Sequence, residues 1–364
     1  MQVPFFDLKR QYETLKEPIH KALDAVMEKT AFSGGPFVDE FEKNLAAWSG
    51  SAHAVALNNG TNALHIAMLV LDIGPGDEVI IPANTFIASA WGASYAGATP
   101  VFADCDPDTW NLSVEAAEKA ITPRTKAIIG VHLYGQPCNM NGLTALCKKH
   151  NLHFIEDNAQ AIGATYNGRM VGNTGVVSCT SFYPGKNLGS YGEGGALFTA
   201  SEDIANHAKS LRSHGATVRY YHDEVGYNMR MEGFQGAVLN VKLGYIDGWN
   251  ARRLDIARRY RQEIQNPKLK MQAPEPGAES VYHLFVVTTA DKQALTNYLE
   301  SEGIGYAFHY PVPCHLQKAY THLGYNEGDF PNAEYLATHC VSLPMFPEMT
   351  DAEVNRVIEV LQKF

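Results

Sequence analysis

The chain has 364 residues, 45% of them hydrophobic and 19% charged, which is enough for one large α/β domain with a smaller one attached. Its formal net charge of -10 argues against a nucleic-acid partner, because neutralising phosphates requires a basic surface. No apolar run approaches the roughly 20 residues that span a bilayer, and the first residues lack the apolar core of a secretory signal.

The six cysteines are scattered along the chain and show no C-x-x-C spacing. This distribution argues against both a zinc site and a disulfide framework, and it is typical of reduced thiols in a core. We therefore expect a cytoplasmic protein with no metal and no membrane or nucleic-acid partner.

Short apolar or β-branched runs alternate with longer helical patterns through the first two thirds of the chain. After an N-terminal arm and helix, we predict seven strands at residues 53–57, 78–81, 99–104, 127–132, 153–157, 176–182 and 194–199. Alternation of this kind predicts a large domain with a mainly parallel seven-stranded sheet and helices on both faces. The last two strands have no clear helix between them, which allows one of them to run antiparallel.

The pattern changes after residue 215, where a polar, aromatic stretch leads into a long helix predicted at 237–264. Beyond it we predict strands at 282–289 and 306–311, and helices at 291–303 and 351–364. This change suggests an N-terminal arm and helix (1–30), a large domain (31–249) and a small C-terminal α/β domain (250–364).

Active sites of parallel α/β sheets lie at the carboxyl ends of the strands, and several of the predicted ends carry unusual residues. The first strand runs into NNGTNAL, where Gly60 and Thr61 open a helix and offer amides and a hydroxyl to a phosphate. The same motif equally fits a plain helix N-cap. The fifth strand ends in Glu156 and Asp157, which could cap a helix or pair with a cation. A metal is disfavoured there because no D-x-D or H-E-x-x-H motif occurs.

The sixth strand runs into TSFYPGKNLGSYGEGG, which holds Lys186 in a loop with few charges. The loop does not match G-x-x-x-x-G-K-[S/T], and its later glycines do not form G-x-G-x-x-G before a helix. These mismatches argue against a nucleoside triphosphate and against a dinucleotide. A desolvated lysine has a lowered pKa and can form a Schiff base, whereas a solvated loop lysine is the plain alternative.

An ordered series of segments extends this interpretation over nearly the whole chain. The series includes PFFDLKRQYETLKEPI, NNGTNAL, GPGDEVIIPANTFIAS, FIEDNAQAIGATYNG, TSFYPGKNLGSYGEGGALFT, VGYNMRMEGFQGAVLNVKL and HYPVPCHLQ. With it the chain resembles the pyridoxal-phosphate-dependent sugar aminotransferases of the DegT/DnrJ/EryC1/StrS family. That resemblance implies the type I aminotransferase fold and pyridoxal 5'-phosphate as the cofactor.

The resemblance also implies roles for individual positions. Lys186 would bind the cofactor as a Schiff base and move a proton between cofactor and substrate, and Asp157 would pair with the ring nitrogen. The other implied cofactor contacts are Gly60, Thr61 and Ser181 at the phosphate, Phe86 and Gln160 at the ring, and Asn228 from a neighbouring subunit. The active site is thus expected to be shared between the subunits of a homodimer.

The implied reaction transfers an amino group from glutamate to a keto sugar attached to a nucleoside diphosphate, giving an amino sugar for glycan or natural-product biosynthesis. The segment SHGATVRYYHDEVGYN resembles that of relatives that act on 3-keto sugars, and a 4-keto sugar stays open. Candidate substrate contacts are Arg230, His309, Tyr310, His214, Arg219, Tyr221 and His222. For His309 and Tyr310, packing at a strand edge fits equally well.

Two departures from the family pattern stand out. The lysine is preceded by Tyr-Pro-Gly where relatives often have His-Pro-Ser or His-Pro-Thr, so Gly185 removes a hydroxyl beside Lys186. Gly236 stands where relatives often carry alanine. Alternative functions are a pyridoxal-phosphate-dependent sugar dehydratase, which has histidine in place of the lysine, a non-enzymatic regulator, and an NAD-dependent sugar-nucleotide enzyme, whose fingerprint is missing.

Overall fold

The computed structural model describes residues 1–364. The strands are β1 (His53–Leu57), β2 (Glu78–Pro82), β3 (Thr99–Ala103), β4 (Thr125–Val131), β5 (His153–Asp157), β6 (Thr165–Tyr166), β7 (Arg169–Met170), β8 (Val177–Ser181), β9 (Gly195–Thr199), β10 (Ala216–Val218), β11 (Tyr221–His222), β12 (Lys270–Met271), β13 (Ala278–Glu279), β14 (Phe285–Thr288) and β15 (Cys340–Leu343).

The α-helices are α1 (Leu8–Glu28), α2 (Pro36–Ser49), α3 (Gly60–Leu69), α4 (Ala88–Tyr95), α5 (Val114–Lys119), α6 (Met140–His150), α7 (Glu202–Arg212), α8 (Gly233–Leu243), α9 (Ile246–Glu263), α10 (Lys292–Ser301), α11 (Pro331–His339) and α12 (Asp351–Lys363). Short 3₁₀ helices span Leu133–Gly135, Cys314–Leu316 and Lys318–Leu323. None of the helices is long and apolar enough to cross a membrane.

A seven-stranded sheet organises the large domain, with the order β1-β9-β8-β5-β4-β2-β3. The pairs from β8 through β5, β4 and β2 to β3 are parallel, whereas β9 runs antiparallel to both of its neighbours. All seven predicted strands form, and the predicted mainly parallel sheet is confirmed.

Helices cover both faces of this sheet, as the alternation of side chains along single strands shows. In β4, Ile129 packs into a cluster of 37 buried residues that includes side chains of α3, α4 and α7. Its neighbour Ile128 belongs to a cluster of 11 buried residues on the opposite face, with side chains of α5 and α6. The strands are therefore buried on two sides, which explains their nearly continuous apolar sequences.

Two predictions for the C-terminal third were wrong. The single long helix at 237–264 is two helices, because α8 ends at Leu243 and α9 begins at Ile246 after Gly244 and Tyr245. The strand at 306–311 does not form, and only Ala307 pairs with a strand, at Ser342 of β15. Beyond Ala307 the chain leaves the sheet, where the carbonyl of His309 accepts a hydrogen bond from the Tyr134 hydroxyl.

A separate cluster of 20 buried residues joins α9, β14, α10, β15 and α12 with Val3 of the N-terminal arm. Arg10 of α1 also pairs with Glu353 of α12 at 2.7 Å, so the first helix docks on the C-terminal part of the chain. The division into 1–30, 31–249 and 250–364 is retained as a proposal that this second core supports. Its boundary at residue 250 lies inside α9.

Candidate active site

Lys186 lies in the loop between β8 and β9, and its side chain is half-buried. Burial lowers its pKa from the ordinary 10.5 to about 8, although the charge of nearby Asp157 acts in the opposite direction. A pKa near 8 leaves about a tenth of the amine uncharged at pH 7, far more than an ordinary lysine has. An uncharged amine is the form that attacks a carbonyl carbon.

Polar contacts fix the loop just after Lys186. The Asn187 amide group donates to Asn250 Oδ1 at 2.8 Å and to the Val281 carbonyl at 3.2 Å. Further along, the buried ammonium of Lys242 on α8 donates to the carbonyl of Gly189. Helices α8 and α9 thereby hold the chain that follows Lys186.

Asp157 ends β5 and is 5% exposed. Its Oδ2 accepts a hydrogen bond from the Ser89 hydroxyl at 2.7 Å, and its Oδ1 accepts one from the amide of Ala159 at 3.1 Å. Ser89 gives its only hydroxyl hydrogen to the carboxylate, so Thr85, at 2.9 Å, donates to the Ser89 oxygen. The Thr85–Ser89–Asp157 chain fixes the orientation of the carboxylate.

Glu156, the neighbour of Asp157, serves a different purpose because adjacent residues of a strand point to opposite faces. Its carboxylate accepts hydrogen bonds from the amides of Gly172, Thr174 and Gly175 and lies 3.1 Å from His132 Nε2. The Cys138 amide donates to His132 Nδ1 at 3.2 Å, so the His132 hydrogen is on Nε2, which donates it to Glu156. Glu156 therefore anchors the loop before β8, and only Asp157 faces the Lys186 side.

The predicted phosphate residues meet at the start of α3. A Cβ on Gly60 would lie only 2.7 Å from Ser181 Cβ, so these two backbones approach as closely as a glycine allows. The first N–H groups of a helix have no partner inside it, and the Asn59 side chain accepts only that of Asn62, at 2.7 Å. The amides of Gly60 and Thr61 and the hydroxyl hydrogen of Ser181 are thus available to an anion. The residues present fit the phosphate of a cofactor.

Gln160 and Phe86, the two residues predicted to contact the cofactor ring, both lie against Tyr310. The Gln160 amide group donates to the Tyr310 hydroxyl at 3.0 Å, while its Oε1 accepts from the amide of Tyr134 at 2.7 Å. The ring of Phe86, which is 51% exposed, lies 5.5 Å from the Tyr310 ring. Burial raises the pKa of Tyr310 well above its ordinary value, so its hydroxyl keeps its proton.

His309 lies in the same region. Its Nδ1 is 2.8 Å from Ser342 Oγ, and the ring of Phe5 from the N-terminal arm stacks on it at 6.0 Å. Burial, assisted by the charge of Lys186, lowers the pKa of His309 to about 4. His309 is therefore a neutral group near Lys186 at physiological pH.

The remaining predicted residues lie on or beside the β10–β11 hairpin. His214 Nδ1 is 3.0 Å from an Arg230 nitrogen, and its carbonyl accepts from His222 Nδ1 at 2.8 Å. Arg219, Tyr221 and Asn228 are exposed. The structure brings His214, His222 and Arg230 together, but it records no contact between any of this group and Lys186 or Asp157 of the same chain.

Four residues of this region escaped the sequence analysis: Thr85, Ser89, Tyr134 and His283. Thr85 and Ser89 flank Phe86 in the segment ANTFIAS, at a spacing of four that places them on one side of a helical turn. That spacing could have identified the two hydroxyls as neighbours from the sequence alone. His283 bonds through Nδ1 to Asn187 Oδ1 at 3.2 Å, a contact across 96 residues that no local pattern reveals.

Comparison with known proteins agrees with this geometry. Residues 13–362 match the model of the DegT/DnrJ/EryC1/StrS aminotransferase family. The chain is 41% identical to a dTDP-3-amino-3,4,6-trideoxy-alpha-D-glucose transaminase from Streptomyces venezuelae, over 100% of this chain and 96% of that one. It is also 42% identical, over 100% and 99% of the two chains, to a protein from Geobacillus stearothermophilus that is named a pleiotropic regulatory protein.

Solved structures give the same result. The crystal structure of Streptomyces venezuelae DesV in complex with a ketimine intermediate matches with a TM-score of 0.97 at 41% identity, covering 100% of this chain and 98% of that one. Other related structures contain pyridoxal phosphate or pyridoxamine phosphate. The chain therefore belongs to the DegT/DnrJ/EryC1/StrS aminotransferase family and is a pyridoxal-phosphate-dependent sugar aminotransferase.

Proposed function

We propose that the enzyme transfers an amino group from glutamate to a keto sugar attached to a nucleoside diphosphate. The observation that supports this most is Lys186, a half-buried lysine with a pKa of about 8. The carboxylate of Asp157 acts on it electrostatically, and Ser181, at the end of the strand that leads into the Lys186 loop, forms a phosphate seat with Gly60. A nucleophilic amine, an acid for a ring nitrogen and an anion seat are the three groups that pyridoxal phosphate requires.

Each of these residues has a defined task. When bound, pyridoxal phosphate supplies an electron sink for the carbon that loses its proton. Lys186 attaches the cofactor through Nζ and, once released, takes a proton at Nζ from one carbon and returns it to another. Asp157, oriented by Ser89, stabilises a proton on the ring nitrogen, while Gly60, Thr61, Ser181, Phe86 and Gln160 hold the cofactor in place.

The amino acceptor is proposed to be a 3-keto sugar nucleotide. The similarity to the Streptomyces venezuelae transaminase, which is named for a 3-amino sugar, supports this choice. A 4-keto sugar nucleotide is the alternative. Arg230 suits the bidentate binding of a carboxylate or diphosphate, and the neutral His309 and Tyr310 suit sugar hydroxyls. His214, Arg219, Tyr221 and His222 are proposed to contact the sugar, and the product to enter glycan or natural-product biosynthesis.

The site is proposed to be shared between two subunits. The β10–β11 hairpin and the segment that follows it expose apolar surface, with Tyr220 77%, Tyr221 71% and Val225 89% exposed. Hairpin residues and Asn228 make no recorded contact with Lys186 of their own chain. Both observations are explained if each hairpin packs against the active site of the neighbouring subunit, where Asn228 would contact the cofactor phosphate.

The test begins with purified protein loaded with pyridoxal phosphate. We expect visible absorbance that glutamate bleaches, and we expect Lys186→Ala to lose both this response and turnover. Lys148→Ala, which removes an exposed lysine, is the matched control. A panel of 3-keto and 4-keto sugar nucleotides with glutamate then identifies the acceptor. A protein that stays colourless with pyridoxal phosphate, or a Lys186→Ala variant that turns over normally, would contradict the proposal.

A further inference from the structure

Glu42 and Arg212 form a buried charged pair that the proposed reaction leaves without a role. Glu42 lies on α2 and is 7% exposed, and Arg212 ends α7 with a side chain that is 13% exposed. Nη1 of Arg212 donates to Glu42 Oε1. Burying two charges costs about as much as their attraction returns, so the pair is a weak source of stability by itself. The other contacts of the pair therefore indicate its role better than its charges do.

The pair binds the free edge of the seven-stranded sheet. Strand β1 is the last strand on one side, so no further strand is available to the backbone groups along its outer edge. The Ala56 amide donates to Glu42 Oε1 at 2.7 Å, and the Ala56 carbonyl accepts from Arg212 Nη1. Both hydrogens of Nη1 are thus used, one on Glu42 and one on the strand. Because Ala56 is fully buried, its backbone groups would have no partners without this pair, which we call the edge clamp.

Backbone hydrogen bonds connect the edge clamp with the phosphate seat. The Arg212 carbonyl accepts from the Met229 amide at 3.0 Å, and the Met229 carbonyl accepts from the Asn58 amide at 2.9 Å. Asn58 is two residues beyond Ala56, and Gly60, which begins α3, is two residues beyond Asn58. Arg212 therefore holds this part of the chain twice, at Ala56 through its side chain and at Asn58 through its main chain and Met229.

The neighbouring strands confine the same turn from the other side. A Cβ on Gly195 of β9 would lie 2.4 Å from the carbonyl carbon of Asn59, and one on Gly60 would lie 2.7 Å from Ser181 Cβ of β8. The turn is thus in close contact with β8 and β9, while hydrogen bonds hold β1 and Asn58 along the free edge. Together these contacts determine where the amides of Gly60 and Thr61 lie.

We propose that Glu42 and Arg212 are positioning residues for the cofactor phosphate. They act through β1, which they hold so that the amides of Gly60 and Thr61 and the hydroxyl of Ser181 converge on the phosphate. Hydrogen bonds weaken steeply when donors are misdirected, so movement of the strand weakens anion binding at the start of α3. The inference rests on the proposed phosphate seat.

A comparison of two aldehydes isolates the phosphate seat. Pyridoxal 5'-phosphate and pyridoxal both form a Schiff base with a lysine, but only the former carries a phosphate. The ratio of their dissociation constants for the apoenzyme, measured by absorbance titration, is the phosphate preference. A change at Lys186 or a general loss of folded protein affects both aldehydes and leaves this ratio unchanged. Calorimetric titration of the apoenzyme with inorganic phosphate measures the same seat without an aldehyde.

Glu42→Met and Glu42→Gln form a matched pair of nearly equal size. Methionine removes the acceptor of Ala56 and Arg212, whereas glutamine keeps an oxygen at the Oε1 position. Glutamine loses only Oε2, which lies 4.0 Å from the exposed Lys209. We expect the phosphate preference to fall about tenfold or more in Glu42→Met and Arg212→Met, and less than about twofold in Glu42→Gln. Affinity for inorganic phosphate should fall in parallel.

Arg10→Met controls for lost stability, because it removes an ion pair with Glu353 of α12 and no contact with β1. It should lower the free energy of unfolding and leave the phosphate preference unchanged. An unchanged preference in folded Glu42→Met or Arg212→Met would overturn the inference. Equal losses in Glu42→Gln and Glu42→Met, or a comparable loss in Arg10→Met, would overturn it as well.

Hydrogen exchange in the wild type decides the matter if the variants do not fold. Coupling between two sites is reciprocal, so an edge clamp that favours phosphate binding is itself stabilised by bound phosphate. Exchange at the amides of Ala56 and Asn58 should be about tenfold slower with pyridoxal phosphate than with saturating pyridoxal. Equal exchange with the two aldehydes would overturn the inference. Failure of the proposed function is distinct, because the wild type would then form no Schiff base at Lys186 or would bind both aldehydes equally well.

Discussion

Lys242 gives the sharpest quantitative test of how the Lys186 loop is held. It is 1% exposed, its ammonium donates to the Gly189 carbonyl, and the rings of Tyr191 and Trp249 lie 5.2 and 5.7 Å from Nζ. Burial lowers its pKa from 10.5 to about 8, which corresponds to about 3 kcal/mol of destabilisation of the charged folded form.

The pH dependence follows from the sign of this pKa change. Below pH 8 both the folded and the unfolded chain carry the proton on Lys242, and the buried charge destabilises the folded chain by the full amount of about 3 kcal/mol. Between about pH 8 and 10.5 the folded chain loses that proton while the unfolded chain keeps it, so Lys242 makes stability rise by up to about 1.4 kcal/mol per pH unit.

Lys242→Met removes this contribution. At pH 7 we expect a small net change, because relief of the buried charge opposes the loss of about 1–3 kcal/mol when the Gly189 carbonyl loses its donor. By pH 9.5 the free energy of unfolding of the wild type should have gained about 2 kcal/mol relative to the variant.

Urea unfolding of the apoenzymes, followed by circular dichroism at pH 7, 8, 9 and 9.5, measures this difference. The contributions of Lys186 and of other groups cancel because they are common to both proteins. Lys148→Met, which removes an exposed lysine, should follow the wild type at every pH. A difference between wild type and Lys242→Met that stays constant over this range would refute the reasoning.

Four further outcomes are expected. Ser89→Ala removes the 2.7 Å hydrogen bond to Asp157, and because bonds to charged groups contribute about 1.5–3 kcal/mol, kcat/KM should fall about 10- to 100-fold with stability measured in parallel. Schiff-base formation by apoenzyme should accelerate about tenfold per pH unit up to the Lys186 pKa of about 8 and then level off, as stopped-flow absorbance would show. Gly185→Ala should change the free energy of unfolding by less than about 0.5 kcal/mol, since its Cβ meets no atom closer than 3.8 Å. Gly189→Ala should destabilise by more than about 2 kcal/mol, since its Cβ would lie 2.3 Å from a carbonyl oxygen.

Much of the fold is readable from the sequence because its strands are short apolar runs bounded by turns. The β2 sequence EVIIP is buried at every position, and such a run between helical patterns has few other interpretations. The sequence predicts one helix across α8 and α9 because the helical pattern of apolar residues continues on both sides of Gly244. That glycine is the only local signal of the break. The failed strand at 306–311 alternates as a strand should, but His309 bonds to Ser342 and Tyr134, which lie 33 and 175 residues away.

The candidate site also contains residues that the sequence predicts and residues that it does not. The placement of Lys186 and Asp157 at the ends of strands follows from the rule that parallel sheets collect functional residues at one edge. The residues that orient them do not, because Ser89 reaches Asp157 across 68 residues and His283 reaches Asn187 across 96. Local patterns identify the residue types that chemistry needs, whereas supporting hydrogen bonds emerge only when distant segments meet.

The same distinction between local and long-range contacts bears on Gly185, which stands where the family resemblance predicts serine or threonine. Its φ lies outside the left-handed region and a Cβ there would have room beside Phe6, so neither backbone conformation nor packing requires a glycine. The chain on the other side of Lys186 is held through Asn187 and Gly189 by side chains of α9 and α8. In its proposed role, Lys186 releases and recovers a cofactor, which requires a fixed Cα and a mobile amine. Because the fixed point lies after Lys186, the residue before it is free to vary.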